Sequence, residues 1–92
     1  MNYKIEIKND FIKECTKLPP KINNRVKEFV FITLANTANP LQHFEKMKGF
    51  KTYYKKRFGD YRLGVEINQS SKTVYVLTIM NRKDIYRYFP PI

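Results

Sequence analysis

Cysteine is all but missing from this chain. Cys15 stands alone, which excludes an intramolecular disulfide and with it a small disulfide-stapled secreted scaffold. His43 is the single histidine, and one histidine with one cysteine supplies too few soft ligands for a metal site, so no metal is expected. Gly49, Gly59 and Gly64 are the only glycines, too few for a phosphate-cradling loop, and no cofactor is expected. The eight carboxylates are scattered along the sequence, with no pair at the spacing of an acid/base dyad. No apolar run approaches membrane-spanning length, and Met1 to Glu6 lacks the apolar core of a signal peptide. The expectation is a cytoplasmic protein that does not associate with membranes.

What is abundant is positive charge and aromatic surface. Ninety-two residues make one small domain, 1–92, with a single core. A hydrophobic content of 42% and an aromatic content of 15% favour a folded globule. The net charge of +10 directs attention first to phosphate-rich partners and second to acidic proteins. The charge leans towards the C-terminal half, where nine cations from Lys51 onward face only Asp60, Glu66 and Asp84.

Tyr3, Ile5 and Ile7 alternate with Lys4, Glu6 and Lys8, as in a half-buried strand. Asn9 or Asp10 can cap a short helix carrying Phe11, Ile12, Cys15 and Leu18, which Pro19-Pro20 ends. Pro20 suits the first turn of a second helix, from about Lys21 to Leu34 or Asn36. Its Ile22, Val26, Phe29, Val30 and Thr33 recur at helical spacing, although Phe29 to Ile32 alone also reads as a strand. Leu41 to Gly49 reads either as a helical turn or as an irregular connection carrying Phe44 and Met47 into the core. Three strands follow as an antiparallel meander, with turns at Gly59-Asp60 and at Asn68 to Lys72. A five-residue second turn predicts Tyr75, Leu77 and Ile79 on the core face, and Val74, Val76, Thr78 and Met80 on the face of Arg62. Asn81 to Phe89 predicts a short helical turn before Pro90-Pro91. The fold class is therefore α+β in the order β-α-α-β-β-β, a mostly meander antiparallel sheet with both N-terminal helices on one face.

The hairpin Phe50 to Arg62 concentrates the chemistry. A two-residue turn at Gly59-Asp60 pairs Phe58 with Tyr61, Arg57 with Arg62 and Lys55 with Gly64. Strand alternation then gives Lys55, Arg57 and Arg62 one face, and Tyr54, Lys56, Phe58 and Tyr61 the other. Two arginines directly opposite each other repel, so that face suits an anion. Arg82 and Tyr86 lie four residues apart, on one side of a helix. A site of lysine, arginine and tyrosine can act on RNA, whose 2′-hydroxyl attacks its own phosphodiester once its proton is accepted and the phosphate neutralised. A lysine crowded by cations has a lowered pKa and can act as base, while arginine holds the phosphate. A basic surface that binds nucleic acid without cleaving it fits the composition as well.

Tyr54 to Leu63, with its Gly-Asp-Tyr-Arg turn, and the ending Asn81-Arg82-Lys83-Asp84-Ile85-Tyr86-Arg87-Tyr88-Phe89-Pro90 together resemble the RelE branch of the RelE/ParE toxin superfamily. The resemblance spans essentially the whole chain. It implies the toxin of a type II toxin–antitoxin pair: a metal-independent endoribonuclease that cuts mRNA in the ribosomal A site and is held inactive by an antitoxin. By position it gives Lys55 and Arg57 the basic places of the catalytic strand, Arg62 the phosphate, Arg82 the role of general acid and Tyr86 the orientation of the RNA. Arg57 stands where well-known members carry lysine, which leaves Lys55 as the base, and Met80-Asn81 stands where members often carry Gly-His or Gly-Lys. Lys51, Lys56, Lys83 and Arg87 are the expected RNA- and ribosome-facing cations. The expected partners are the ribosome with its mRNA and a cognate antitoxin with an acidic, amphipathic segment. A ParE-like relative that inhibits gyrase, and a non-catalytic RNA binder, are the alternative readings.

Overall fold

The computed structural model describes residues 3–89; Pro90 and Pro91 lie outside them. A strand β1 (Lys4–Ile7) leads into helices α1 (Asn9–Cys15) and α2 (Pro20–Glu28). Pro20 opens α2 at its first position, where its missing N–H costs nothing. The helical path does not stop at Glu28. It widens into a π-turn over Phe29–Thr33, where the Leu34 N–H reaches the Phe29 carbonyl, and tightens to 3₁₀ over Leu34–Asn36. The alternative of a strand at Phe29 to Ile32 is not realised, because Phe29, Val30 and Leu34 are all drawn into the core from helical positions.

Leu41 to Gly49 resolves into a 3₁₀ turn, Pro40–His43, followed by a two-residue strand β2 (Glu45–Lys46). Then come β3 (Tyr53–Phe58), β4 (Tyr61–Asn68), β5 (Thr73–Asn81) and helix α3 (Arg82–Tyr88). The sheet order is β1-β5-β4-β3-β2. The meander β2 to β5 is antiparallel, but β1 joins β5 in parallel, with Ile5 opposite Val74, so the sheet is mixed rather than wholly antiparallel. The α1–α2 segment is the crossover that a parallel pairing requires.

Val26, Val30 and Leu34 from the helices pack with Leu63, Val65, Val74 and Val76 from the sheet in one main core, so both N-terminal helices cover the same face. The β4–β5 pairing contains an irregularity that the predicted turn geometry does not. Leu63 faces Ile79 and Gly64 faces Thr78, yet Val65 faces Val76, so Leu77 is an extra residue on β5. The turn itself holds four residues rather than the expected five, since Asn68 faces Thr73 and Ile67 faces Val74. Val74 and Val76, expected on the face of Arg62, therefore turn into the main core, and Tyr75 pairs with Glu66. The bulge then shifts the register once more and keeps Ile79 in the main core. Leu77 joins a second, smaller core on the opposite face, built on Met47, Ile85 and Phe89 with Tyr53 and Met80. That second core seats α3. Where β1 has ended, the Glu14 carboxylate from α1 accepts the Ile79 N–H at 3.2 Å and the Thr78 hydroxyl, satisfying an edge that would otherwise be unpaired.

Candidate active site

The β3–β4 register is the one the two-residue turn demands: Phe58 with Tyr61, Arg57 with Arg62, Lys55 with Gly64. Gly59 carries the turn with φ of 59°, a left-handed conformation in which glycine has no side chain to strain. Arg62 stabilises the same turn, its Nη1 donating to the carbonyls of Gly59 at 2.8 Å and Tyr61 at 3.1 Å. Those bonds hold one side of the guanidinium near Arg57 and leave its remaining donors for a ligand.

The second half of the site arrives on α3. Asn81 caps this helix, its Oδ1 accepting the Lys83 N–H at 3.0 Å. The Asn81 that departs from the family pattern thus has a structural role here. Ile85 and Phe89 are buried against the sheet, and their spacing places Tyr86 over β3. The Lys55 Nζ donates to the Tyr86 hydroxyl at 2.7 Å and lies 4.8 Å from its ring centroid. Lys55, Arg57, Arg62 and Tyr86 line one cleft of about 170 Å³.

A fifth residue, Glu45, completes the cleft. It pairs with Lys55 across β2 and β3, and its carboxylate lies 3.4 Å from the Lys55 ammonium. Sequence reading missed it because a two-residue strand leaves too little alternation to fix which side chain meets which. Its only signal was an acid near a predicted cationic strand.

Glu45 and Tyr86 overturn one expectation. The Lys55 pKa is raised, not lowered: the hydrogen bond to the Tyr86 oxygen stabilises the ammonium more than partial burial opposes it, and Glu45 adds to that. The Tyr86 pKa is lowered, first by the Lys55 hydrogen bond and then by the Lys55 and Arg62 charges. The contacts favour the ammonium form of Lys55 and the deprotonated, anionic form of Tyr86.

The other expected residues divide. Arg82 begins α3 with its backbone N–H on the Asp60 carbonyl at 2.8 Å, but its exposed side chain does not line the cleft. Arg87 borders a neighbouring pocket that shares Lys55 and Tyr86, and Lys51 sits on the loop before β3, beside that pocket's Lys48 and Phe50. Lys83 is exposed on α3. Lys56 is turned away: its ammonium lies over the rings of Phe29 and Phe58, 4.8 and 5.6 Å from their centroids, on the helix-covered face. Three cations with one carboxylate give the cleft a net positive charge that suits an anion, and among the described residues no three His, Cys, Asp or Glu side chains gather as a metal would need. No helix among the described residues is long and apolar enough to cross a membrane.

The sequence and the fold have counterparts among known proteins. Residues 5–86 match the family model of the ParE toxin of type II toxin–antitoxin systems, parDE. Toxin RelE3 of Methanocaldococcus jannaschii is 34% identical over 89 residues, covering 95% of this chain and 99% of the relative. Among solved structures, the RelB–RelE antitoxin–toxin complex of Methanococcus jannaschii contains a chain 32% identical, with a TM-score of 0.73 over 92% of this chain and 99% of that one. The toxin–antitoxin complex RelBE2 of Mycobacterium tuberculosis contains one 28% identical, with a TM-score of 0.72 over 89% of this chain and all of that one. With the model spanning almost its full length and a relative this similar end to end, the chain belongs to the RelE/ParE superfamily of type II toxin–antitoxin toxins.

Proposed function

We propose that this toxin is a ribosome-dependent, metal-independent endoribonuclease that cuts mRNA in the A site. The observation that carries the reading is the convergence of Lys55, Arg57, Arg62 and Tyr86 on one cleft from opposite ends of the sequence. In the reaction the 2′-oxygen forms a bond to phosphorus as the bond to the 5′-oxygen breaks. The proton leaves the 2′-hydroxyl for an acceptor in the cleft, and another reaches the departing 5′-oxygen. Arg57 and Arg62 neutralise the crowded phosphate. Lys55, kept as an ammonium, is the cleft's proton donor for the 5′-oxygen, a role in which a guanidinium is poor because it hardly deprotonates. The oxygens available to accept the 2′-hydroxyl proton are those of Tyr86 and Glu45.

Relatives named RelE occur in complexes with the antitoxin RelB, and we extend that arrangement to this chain: a cognate antitoxin with an acidic, amphipathic segment neutralises it. Changing Arg57 or Arg62 to alanine is expected to abolish growth arrest and mRNA cleavage while antitoxin binding persists. Arrest that survives both changes rules the mechanism out. Glu45→Gln separates the two acceptors, since a variant that keeps the full cleavage rate leaves Tyr86 as the base. The match to the ParE model favours a second reading, inhibition of gyrase. Primer extension on cellular mRNA decides between them: codon-phased cuts support the nuclease, and supercoiling inhibition without cuts supports the other.

A further inference from the structure

Behind the Lys55–Tyr86 pair lies a second pocket, of about 250 Å³, with an apolar floor and a cationic edge. Met47 and Phe89 form its floor and are themselves buried. Phe50 walls it and remains 38% exposed, an aromatic ring kept at the surface beside an apolar hollow. A ladder of edge-to-face contacts fixes these rings, Phe50 to Tyr53 at 6.0 Å and Tyr53 to Phe89 at 5.5 Å between centroids. Lys48 and Arg87 stand at the rim, and Lys55 and Tyr86 belong to this pocket and to the cleft alike.

We infer that this pocket is a nucleobase subsite. Resting on the reading of the cleft as an RNA-cleaving site, it takes the base of the nucleotide adjoining the scissile linkage. Three observations select that occupant. The pocket is too small for a folded partner and smaller than the usual drug-sized ligand site. Its surface combines ring faces for stacking with cations for the flanking phosphates, the pairing by which proteins hold unstacked RNA bases. Its wall is continuous with the phosphate cleft through two shared side chains, so a strand in the cleft has one nucleotide to place there. Phe50 is the stacking residue, and Lys48 and Arg87 hold the strand.

The test uses ribosomes programmed with an mRNA whose scissile nucleotide carries a 2′-O-methyl group, so that binding is measured without cleavage. A second set of mRNAs has an abasic nucleotide on either side of that linkage. The intact toxin is expected to bind one abasic mRNA roughly tenfold more weakly than its parent, the worth of one stacked base. Phe50→Ala is expected to show that same loss on the parent mRNA and no further loss on the abasic one. Equal affinity of the intact toxin for parent and abasic mRNAs, or losses from Phe50→Ala and the abasic site that simply add, overturns the subsite. Failure of the intact toxin to bind the programmed ribosomes overturns the nuclease reading as well, and the two failures are thereby told apart.

Discussion

Lys55 and Tyr86 are 31 positions apart in sequence and share one proton-bearing contact of 2.7 Å. Each shifts the other, the lysine upward and the tyrosine downward. For Lys55, whose folded pKa is raised, the stabilising contribution is present below the ordinary lysine value and is lost as pH rises through the raised one. For Tyr86, whose folded pKa is depressed, stability is added as pH rises through that lowered value. Both contributions therefore coexist in the alkaline range between the two. A tyrosinate absorbance titration of the folded protein is expected to show one of the seven tyrosines ionising early. Tyr86→Phe should remove that component and Lys55→Met should move it upward; an early component that survives Tyr86→Phe contradicts the assignment. The shared face of Lys55, Arg57 and Arg62 was legible in sequence because strand alternation dictates it. The protonation state of Lys55 was not, because pKa depends on oxygens within a few ångströms. Those oxygens belong to Glu45 and Tyr86, which come from separate elements.

At the scale of elements, the site depends on how α3 is held. Its anchor is a core of three buried residues, Met47, Ile85 and Phe89, much smaller than the main one. Gly64 lets the Phe89 ring sit close: a Cβ built there would lie 3.0 Å from three carbon atoms of that ring, tighter than ordinary packing, so the ring would have to shift by a few tenths of an ångström. Gly64→Ala is expected to destabilise the protein by about 1–3 kcal/mol, the usual cost of overpacking. Because the clash falls on Phe89, faster hydrogen exchange should concentrate in α3, with β3 to β5 changed far less. Chemical denaturation and amide exchange check both, and uniform loss of protection would show that α3 is not a separable unit. The hairpin and its register could be read from the turn residues and the alternation. The bulge at Leu77, the strand at Glu45-Lys46 and the parallel pairing of β1 could not. A bulge is chosen by two cores competing for Leu77 and Val76, and a two-residue strand by the edge it completes, and neither competition is local in sequence.

Over the whole molecule the charge of +10 favours phosphate-rich partners, and the fold decides which cations would meet them. Lys83 and Arg87 ride on α3, exposed and on the helix that carries Tyr86. Lys56 is on the other side of the sheet, its ammonium spread over Phe29 and Phe58. Sequence composition counts these three cations alike; the alternation of β3 separates them. Binding to programmed ribosomes should weaken linearly in the logarithm of salt concentration as counterions are released. Lys83→Ala and Arg87→Ala are each expected to weaken binding and to reduce that slope by roughly one. Lys56→Ala is expected to leave the slope unchanged and to register only in stability, through lost contact with the two rings. A salt titration of all three variants measures this directly. A slope that falls equally for Lys56→Ala would mean that the helix-covered face also meets RNA, and that the cleft face is not the sole docking side of the toxin.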